Sequence, residues 1–164
     1  MIKLVASDLD GTLLHNYQQT VPKEIYDTIK ALHEKGIIFT AASGRQYANI
    51  RRLFAPLGFD IPYIAENGSM CVYKEEILAT GLTPSKTIRH ILDALMEYRK
   101  IYHTGHCILS VKDTYYSDST DERFIDYMEN DMHNIVTYVP DLYAIKEPII
   151  KAAICAFGGT KNLE

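Results

Sequence analysis

The feature that most constrains this chain is a regular alternation of short apolar runs with amphipathic helices over residues 2–65. Ile2 to Ser7 is short, mostly apolar and partly β-branched, the pattern of a strand covered on both faces. Residues 22–35 read as a helix. Pro22 suits its first turn, Ile25, Ile29 and Leu32 fall on one face, and Gly36 stops it. Ile37 to Ala42 is a second buried strand. Residues 46–54 form a second helix with Ile50, Leu53 and Phe54 inward, ended by Pro56 and Gly58. Pro62 to Ala65 is a third strand. A β-α-β-α-β order specifies an α/β fold with a parallel sheet and right-handed crossovers.

After the turn dipeptide Asn67-Gly68 the pattern changes. Met70 to Tyr73 and Ile77 to Thr80 flank Lys74-Glu75-Glu76 and read as a hairpin. Thr83-Pro84 opens a helix with Ile88, Ile91, Leu92, Leu95 and Met96 on one stripe. Strand-like Cys107 to Val111, a turn at Lys112-Asp113, Tyr115-Tyr116, a helix over 122–129 and an apolar run from Ile149 to Phe157 follow. Seven of the 12 tyrosines lie beyond residue 83, so we place a boundary there, giving segments 1–82 and 83–164.

Charge and composition remove several function classes. Lys plus Arg is 17 and Asp plus Glu is 21, a formal net charge of −4, which speaks against nucleic-acid binding by bulk charge. No apolar run approaches the roughly 18 residues of a membrane span. Asp8 interrupts what would be the apolar stretch of a signal peptide. Cys71, Cys107 and Cys155 form no CxxC pair, so neither a disulfide framework nor a thiolate zinc site is expected. The expected compartment is cytoplasmic.

The chemistry concentrates in Asp8-Leu9-Asp10-Gly11-Thr12-Leu13-Leu14, directly after the first strand. Two carboxylates at the carboxyl end of a parallel strand sit where open α/β sheets place ligands. If Asp8 continues the extended conformation, Asp8 and Asp10 point the same way, and Gly11 lets the chain turn away. Thr12 is expected to stabilise that turn through its hydroxyl. Ser43, just beyond the second strand, reads as an N-cap of the helix that follows. His103-x-x-His106 has a one-turn spacing but no carboxylate or thiolate to complete a metal cluster.

The Asp8-x-Asp10-Gly11-Thr12-Leu13-Leu14 stretch resembles the first motif of the haloacid dehalogenase superfamily of phosphohydrolases. Ala41-Ala42-Ser43-Gly44-Arg45 resembles its second motif, and Glu66-Asn67-Gly68 resembles the signature of the Cof-type subfamily. The resemblance implies a Rossmann-like parallel core, here partial, in 1–82, and part of an inserted α/β cap in 83–164. It implies Asp8 as the nucleophile that forms an aspartyl-phosphate and Asp10 as the general acid, then base. It implies Mg²⁺ held by the Asp8 carboxylate and the Asp10 backbone carbonyl. Ser43 and the Gly44 N–H at a helix N-terminus would bind the phosphoryl group. Arg45 would reach a phosphate or substrate carboxylate, or else be an exposed helix-start arginine. Asn67 would contact substrate or only form its turn.

The family pattern also calls for a lysine and a Gly-Asp-x-x-x-Asp type motif after the cap. Neither is found here: Gly158-Gly159 precedes no strand, and no Asp follows Asp141. The expectation is therefore an incomplete chain of a magnesium-dependent phosphatase acting on a small phosphorylated metabolite, with neither nucleic acid nor membrane as partner. The alternative is a catalytically silent binding module. A phosphoaspartate receiver fits poorly, because Ala65-Glu66-Asn67 stands where its phosphorylated Asp would be. Self-association through an open edge of the Ile2–Ser7 strand is a further expectation.

Overall fold

The computed structural model describes residues 1–15 and 18–157. The chain divides into two compact units, Met1–Gly81 and Leu82–Glu164. Among the described residues no helix is long and apolar enough to cross a membrane.

In the first unit β1 (Leu4–Asp8), β2 (Ile38–Ala42) and β3 (Tyr63–Ala65) run parallel. The crossovers are α1 (Lys23–Glu34) and α2 (Tyr47–Phe54). The hairpin β4 (Met70–Tyr73) and β5 (Glu76–Thr80) adds antiparallel to β3, so the sheet is mixed, in the order β1-β2-β3-β4-β5. Its two-residue turn puts Lys74 and Glu75 at positive φ, 50° and 66°. That geometry matches the right-handed twist of the flanking strands. The core is made by Phe39 and Ala41 of β2, Ile29 of α1, and Ile50, Leu53 and Phe54 of α2, all buried.

β1 forms the sheet edge, in keeping with the open edge expected of the Ile2–Ser7 strand. It departs from the sequence reading in its burial: covered on both faces by expectation, it leaves Ile2 and Leu4 68% and 53% exposed. The Lys3 carbonyl accepts the Ile38 N–H at 3.0 Å. Residues 3, 5 and 7 therefore turn their backbone groups toward β2, while those of Leu4 and Ala6 face the open flank. The apolar residues of β1 reflect what such a strand can pack against, and no described residue packs on that flank.

The second unit pairs a four-stranded sheet with helices. α3 (Ser85–Tyr102) lays Ile88, Leu92 and Leu95 against Cys107 and Leu109 of β6 (His106–Ser110). Met96, read as part of that stripe, is exposed. The sheet order is β8-β7-β6-β9, with β7 (Tyr115–Ser117), β8 (Val136–Tyr138) and β9 (Lys151–Cys155). β8 had no sequence signal. Helix α4 (Glu122–Asp126) begins at an Asp121 cap and runs on as a π-helical turn, Tyr127–Asp131. Phe124 of α4 stacks on His106 at 4.5 Å. Arg99 grips Asp118 through two hydrogen bonds, 2.5 and 2.8 Å, and donates a third to the Gly105 carbonyl at 2.8 Å. Gly158 and Gly159 lie outside the described residues.

Candidate active site

Strand register brings the candidate residues to one end of the first unit. Asp8 is the last residue of β1 and stands opposite Ala42, the last of β2. Ala42 in turn stands opposite Ile64 of β3. The Asp8–Leu14 loop, the Ser43–Gln46 loop and the Glu66–Gly68 turn therefore leave the sheet side by side, at the carboxyl ends of its parallel strands. This is where such sheets hold ligands.

The first loop is a compact turn. The N–H groups of Thr12, Leu13 and Leu14 all donate to the Leu9 carbonyl, at 3.1, 2.9 and 2.8 Å, and Gly11 N–H donates to Leu14 O at 2.7 Å. Leu9 and Leu14 are buried and anchor the turn from below. Gly11 has φ +84°, a conformation in which an L side chain is strained. Strand geometry stops at Asp8, so the period-two argument that aligned the two carboxylates does not apply. Asp8 is exposed and accepts the Thr12 hydroxyl at 3.4 Å. Thr12 thus serves the nucleophile candidate as well as the turn. Asp10 goes elsewhere, to Arg45.

Arg45 is neither an exposed helix-start residue nor a free fork. It is 7% exposed, with Nε donating to Asp10 Oδ2 at 2.9 Å and one Nη to Asp10 Oδ1 at 2.6 Å. The same Nη reaches the Gln18 carbonyl at 3.4 Å. The other Nη donates to Gln19 Oε1 at 3.0 Å and to Asn49 Oδ1 at 3.1 Å. Sequence reasoning missed Gln19, Asn49 and Gln18 as members of this cluster.

Ser43 is not the N-cap of α2. That position belongs to Gln46, and Ser43 Oγ accepts the Arg45 N–H at 3.2 Å. Gly44 likewise precedes the first helical residue, Tyr47, by three positions, so the expected helix N-terminus is not beneath it. Ser43 is held on both sides: its N–H donates to the Ile64 carbonyl at 2.8 Å, and its carbonyl accepts the Asn67 N–H at 3.2 Å. Asn67 adopts φ +59° and presses its side chain onto Gly44; a Cβ there would stand 2.3 Å from Asn67 Oδ1. Gly44 is thus required for this loop-to-turn contact. Asp8, Ser43, Gly44 and Asn67 gather at the strand ends, and Asp10 and Arg45 form a pair beside them.

Other chemically capable groups are accounted for by packing. Burial pushes the Cys107 thiol up to about 12, which makes it a poor nucleophile. His106 Nδ1 hydrogen-bonds Ser119 Oγ at 2.9 Å, and His103 caps α3 at φ +52°. Among the described residues no three His, Cys, Asp or Glu side chains form a metal cluster.

The parallel strands of this mixed α/β sheet thus end side by side in an Asp-x-Asp-Gly turn, a serine loop and an Asn turn. The sequence model of haloacid dehalogenase-like hydrolases matches residues 5–162, and the chain belongs to that family. It is 39% identical over 77 residues to phosphoglycolate phosphatase 1 of Saccharolobus solfataricus, a match spanning 46% of this chain and 34% of that protein. A solved structure from Eubacterium rectale superposes with a TM-score of 0.79 at 25% identity, covering 93% of this chain and 57% of that one. A HAD subclass IIB sugar phosphatase shares the fold at TM-score 0.72 and 21% identity, covering 92% and 57%. The chain spans about a third of the length of its curated relative and somewhat over half of its structural neighbours.

Proposed function

We propose that this chain carries the nucleophile half of a magnesium-dependent phosphatase acting on a small phosphorylated metabolite. The observation that carries the reading is the register: Asp8 ends β1 opposite Ala42, so its exposed carboxylate lies beside the Ser43–Gly44 loop. The carboxylate of Asp8 would attack phosphorus in line, expelling the alcohol and forming an aspartyl-phosphate that water then hydrolyses. Asp10 would protonate the leaving oxygen and then take a proton from that water. Ser43 Oγ accepts a backbone N–H and keeps its own proton for a phosphoryl oxygen. The Gly44 backbone would sit against the phosphoryl group, and Asn67, whose side chain lies on Gly44, would border the leaving group.

The donor set suits Mg²⁺ in kind. Asp8 offers a carboxylate oxygen and Asp10 its backbone carbonyl, oxygen donors of the kind this cation takes. Mg²⁺ there would screen the repulsion between the anionic nucleophile and the anionic phosphate. Phosphoglycolate and sugar phosphates, named for two of the similar proteins, are the first substrates to assay.

A catalytically silent module is the second reading, favoured by the engagement of both Asp10 carboxylate oxygens by Arg45. One experiment separates them. Phosphate release from 4-nitrophenyl phosphate, phosphoglycolate and glucose 6-phosphate is measured with Mg²⁺ and with chelator, on this chain and on the longest protein that contains it. On the phosphatase reading the longer protein turns over one of them. Asp8→Asn, nearly isosteric and a very poor nucleophile, should then lower kcat by about four orders of magnitude. Activity within tenfold of the parent in Asp8→Asn rejects the nucleophile. No turnover of any ester by either protein favours the silent module.

A further inference from the structure

We infer that Arg45 is a positioning residue whose task is to fix the Asp10 carboxylate, and that it does not bind substrate. The inference rests on the phosphatase reading for the role of Asp10, but the geometry is independent of it. A guanidinium has five N–H donors. Here all five have acceptors: Asp10 Oδ1 and Oδ2, the Gln18 carbonyl, Gln19 Oε1 and Asn49 Oδ1, at 2.6 to 3.4 Å. None is left for a phosphate or a substrate carboxylate. The side chain is also 5% exposed, so an incoming anion would have to displace protein acceptors to reach it.

The acceptors come from three stretches of chain. Asp10 lies in the turn after β1, Gln18 and Gln19 lie further along the same connection, and Asn49 lies in the first turn of α2. The planar fork ties them together and sets the direction of the Asp10 carboxylate. Asp10 itself remains 48% exposed, so burial does not hold it; the bidentate pair does. Each carboxylate oxygen has two lone pairs, and the fork engages one on each. The other lone pairs stay available to take up or release a proton in a fixed direction, as an acid–base group requires. Lysine could not replace this arrangement, because a single ammonium has three donors and no fork.

The test is carboxylate footprinting on the 164-residue chain, coupling an amine with a water-soluble carbodiimide and reading each site by peptide mass spectrometry. Asp8, exposed and paired with no arginine among the described residues, is the internal reference. In the parent chain Asp10 should label at least about fivefold more slowly than Asp8. Arg45→Met should bring Asp10 to within about twofold of Asp8 while Asp8, Asp27 and Asp60 keep their rates, and Arg45→Lys should fall between. If Arg45→Met unfolds, all carboxylates label faster together, and the parent ratio of Asp10 to Asp8 still decides. Equal labelling of Asp8 and Asp10 in the parent chain overturns the inference, as does Asp10 protection that survives in folded Arg45→Met. The labelling does not pass through turnover. An inactive chain therefore leaves a protected Asp10 standing, and an unprotected Asp10 removes the positioning role whatever the activity.

Discussion

Gly44→Ala tests the centre of the site through a single methyl group. Gly44 is not among the glycines at positive φ, so alanine suits its backbone. Elsewhere such a change stabilises by about 0.4–1 kcal/mol, because alanine loses less freedom on folding. Here the new Cβ falls 2.3 Å from Asn67 Oδ1 and 3.3 Å from Asn67 Cγ, the first about an ångström inside ordinary contact. Residue 67 cannot withdraw its backbone, which is tied to the Ser43 carbonyl at 3.2 Å. The amide must therefore rotate, at a cost of about 0.5–1.5 kcal/mol for a displaced rotamer. The two effects leave Gly44→Ala destabilising by about 0.5 kcal/mol. In an Asn67→Gly background, where φ +59° suits glycine and the obstructing amide is gone, the same alanine should stabilise by about 0.5 kcal/mol. The coupling is then about 1 kcal/mol, typical of residues in direct contact. Hydrogen exchange of the slowest β2 and β3 amides measures it, because it reports the first unit separately from the second. Equal stabilisation by Gly44→Ala in both backgrounds, with coupling below about 0.3 kcal/mol, would mean that Asn67 does not lie on Gly44.

In the second unit, Arg99→Met leaves the mostly buried Asp118 carboxylate without its partner. It should destabilise by about 2 kcal/mol, the buried-pair penalty reduced for partial exposure, read as a lower urea midpoint. His106 gives a pH dependence: burial against Phe124 holds its pKa below the usual 6.5, against a pull upward from Asp121. The unfolded chain then binds the proton first, so stability is full above pH 6.5 and falls as pH drops toward the folded-state value, with a slope of at most about 1.4 kcal/mol per pH unit; His106→Gln should lose that component, and identical pH profiles would show that it is absent. At the open flank of β1, Ala6→Pro removes an outward N–H without touching the β2 ladder; sedimentation should show the parent self-associating at micromolar concentration and the variant not, and a monodisperse parent removes the edge as an interface.

The fold was legible where local pattern and tertiary contact ask for the same thing. The α1 stripe, the Gly36 stop and the buried β2 run each satisfy a periodicity that a single segment displays. β8 was not legible because Val136–Tyr138 is three residues long and exists by pairing in parallel with β7, a contact that leaves no local signature. The Lys74-Glu75 turn was legible as a turn but not in type, since residues other than glycine and asparagine enter positive φ only when the flanking strands impose it. β1 shows the limit of reading burial from composition: an apolar run states what a strand can pack against, and its neighbours decide whether anything does.

The residues gathered at the strand ends were legible as candidates because Asp8, Ser43 and Asn67 sit in short contiguous stretches at or directly after the ends of parallel strands. The Arg45 cluster was not, because its acceptors are 35 residues upstream at Asp10, 26 and 27 upstream at Gln19 and Gln18, and four downstream at Asn49. Spacing along the chain cannot join them; only the closed Leu9–Leu14 turn carries Asp10 back to meet the arginine. A weaker signal was present. Positions 46, 49, 50 and 53 share one face of α2, and Ile50 and Leu53 turn that face inward. Gln46 and Asn49 must then be inside as well, and both are, at 2% and 1% exposure. Buried amides are hydrogen-bonded. An inward helical face that begins with two of them, next to an arginine, therefore points to a buried polar cluster around a charge, and a buried guanidinium needs a carboxylate. In the turn that follows the strand ending beside it, the next carboxylate after Asp8 is Asp10.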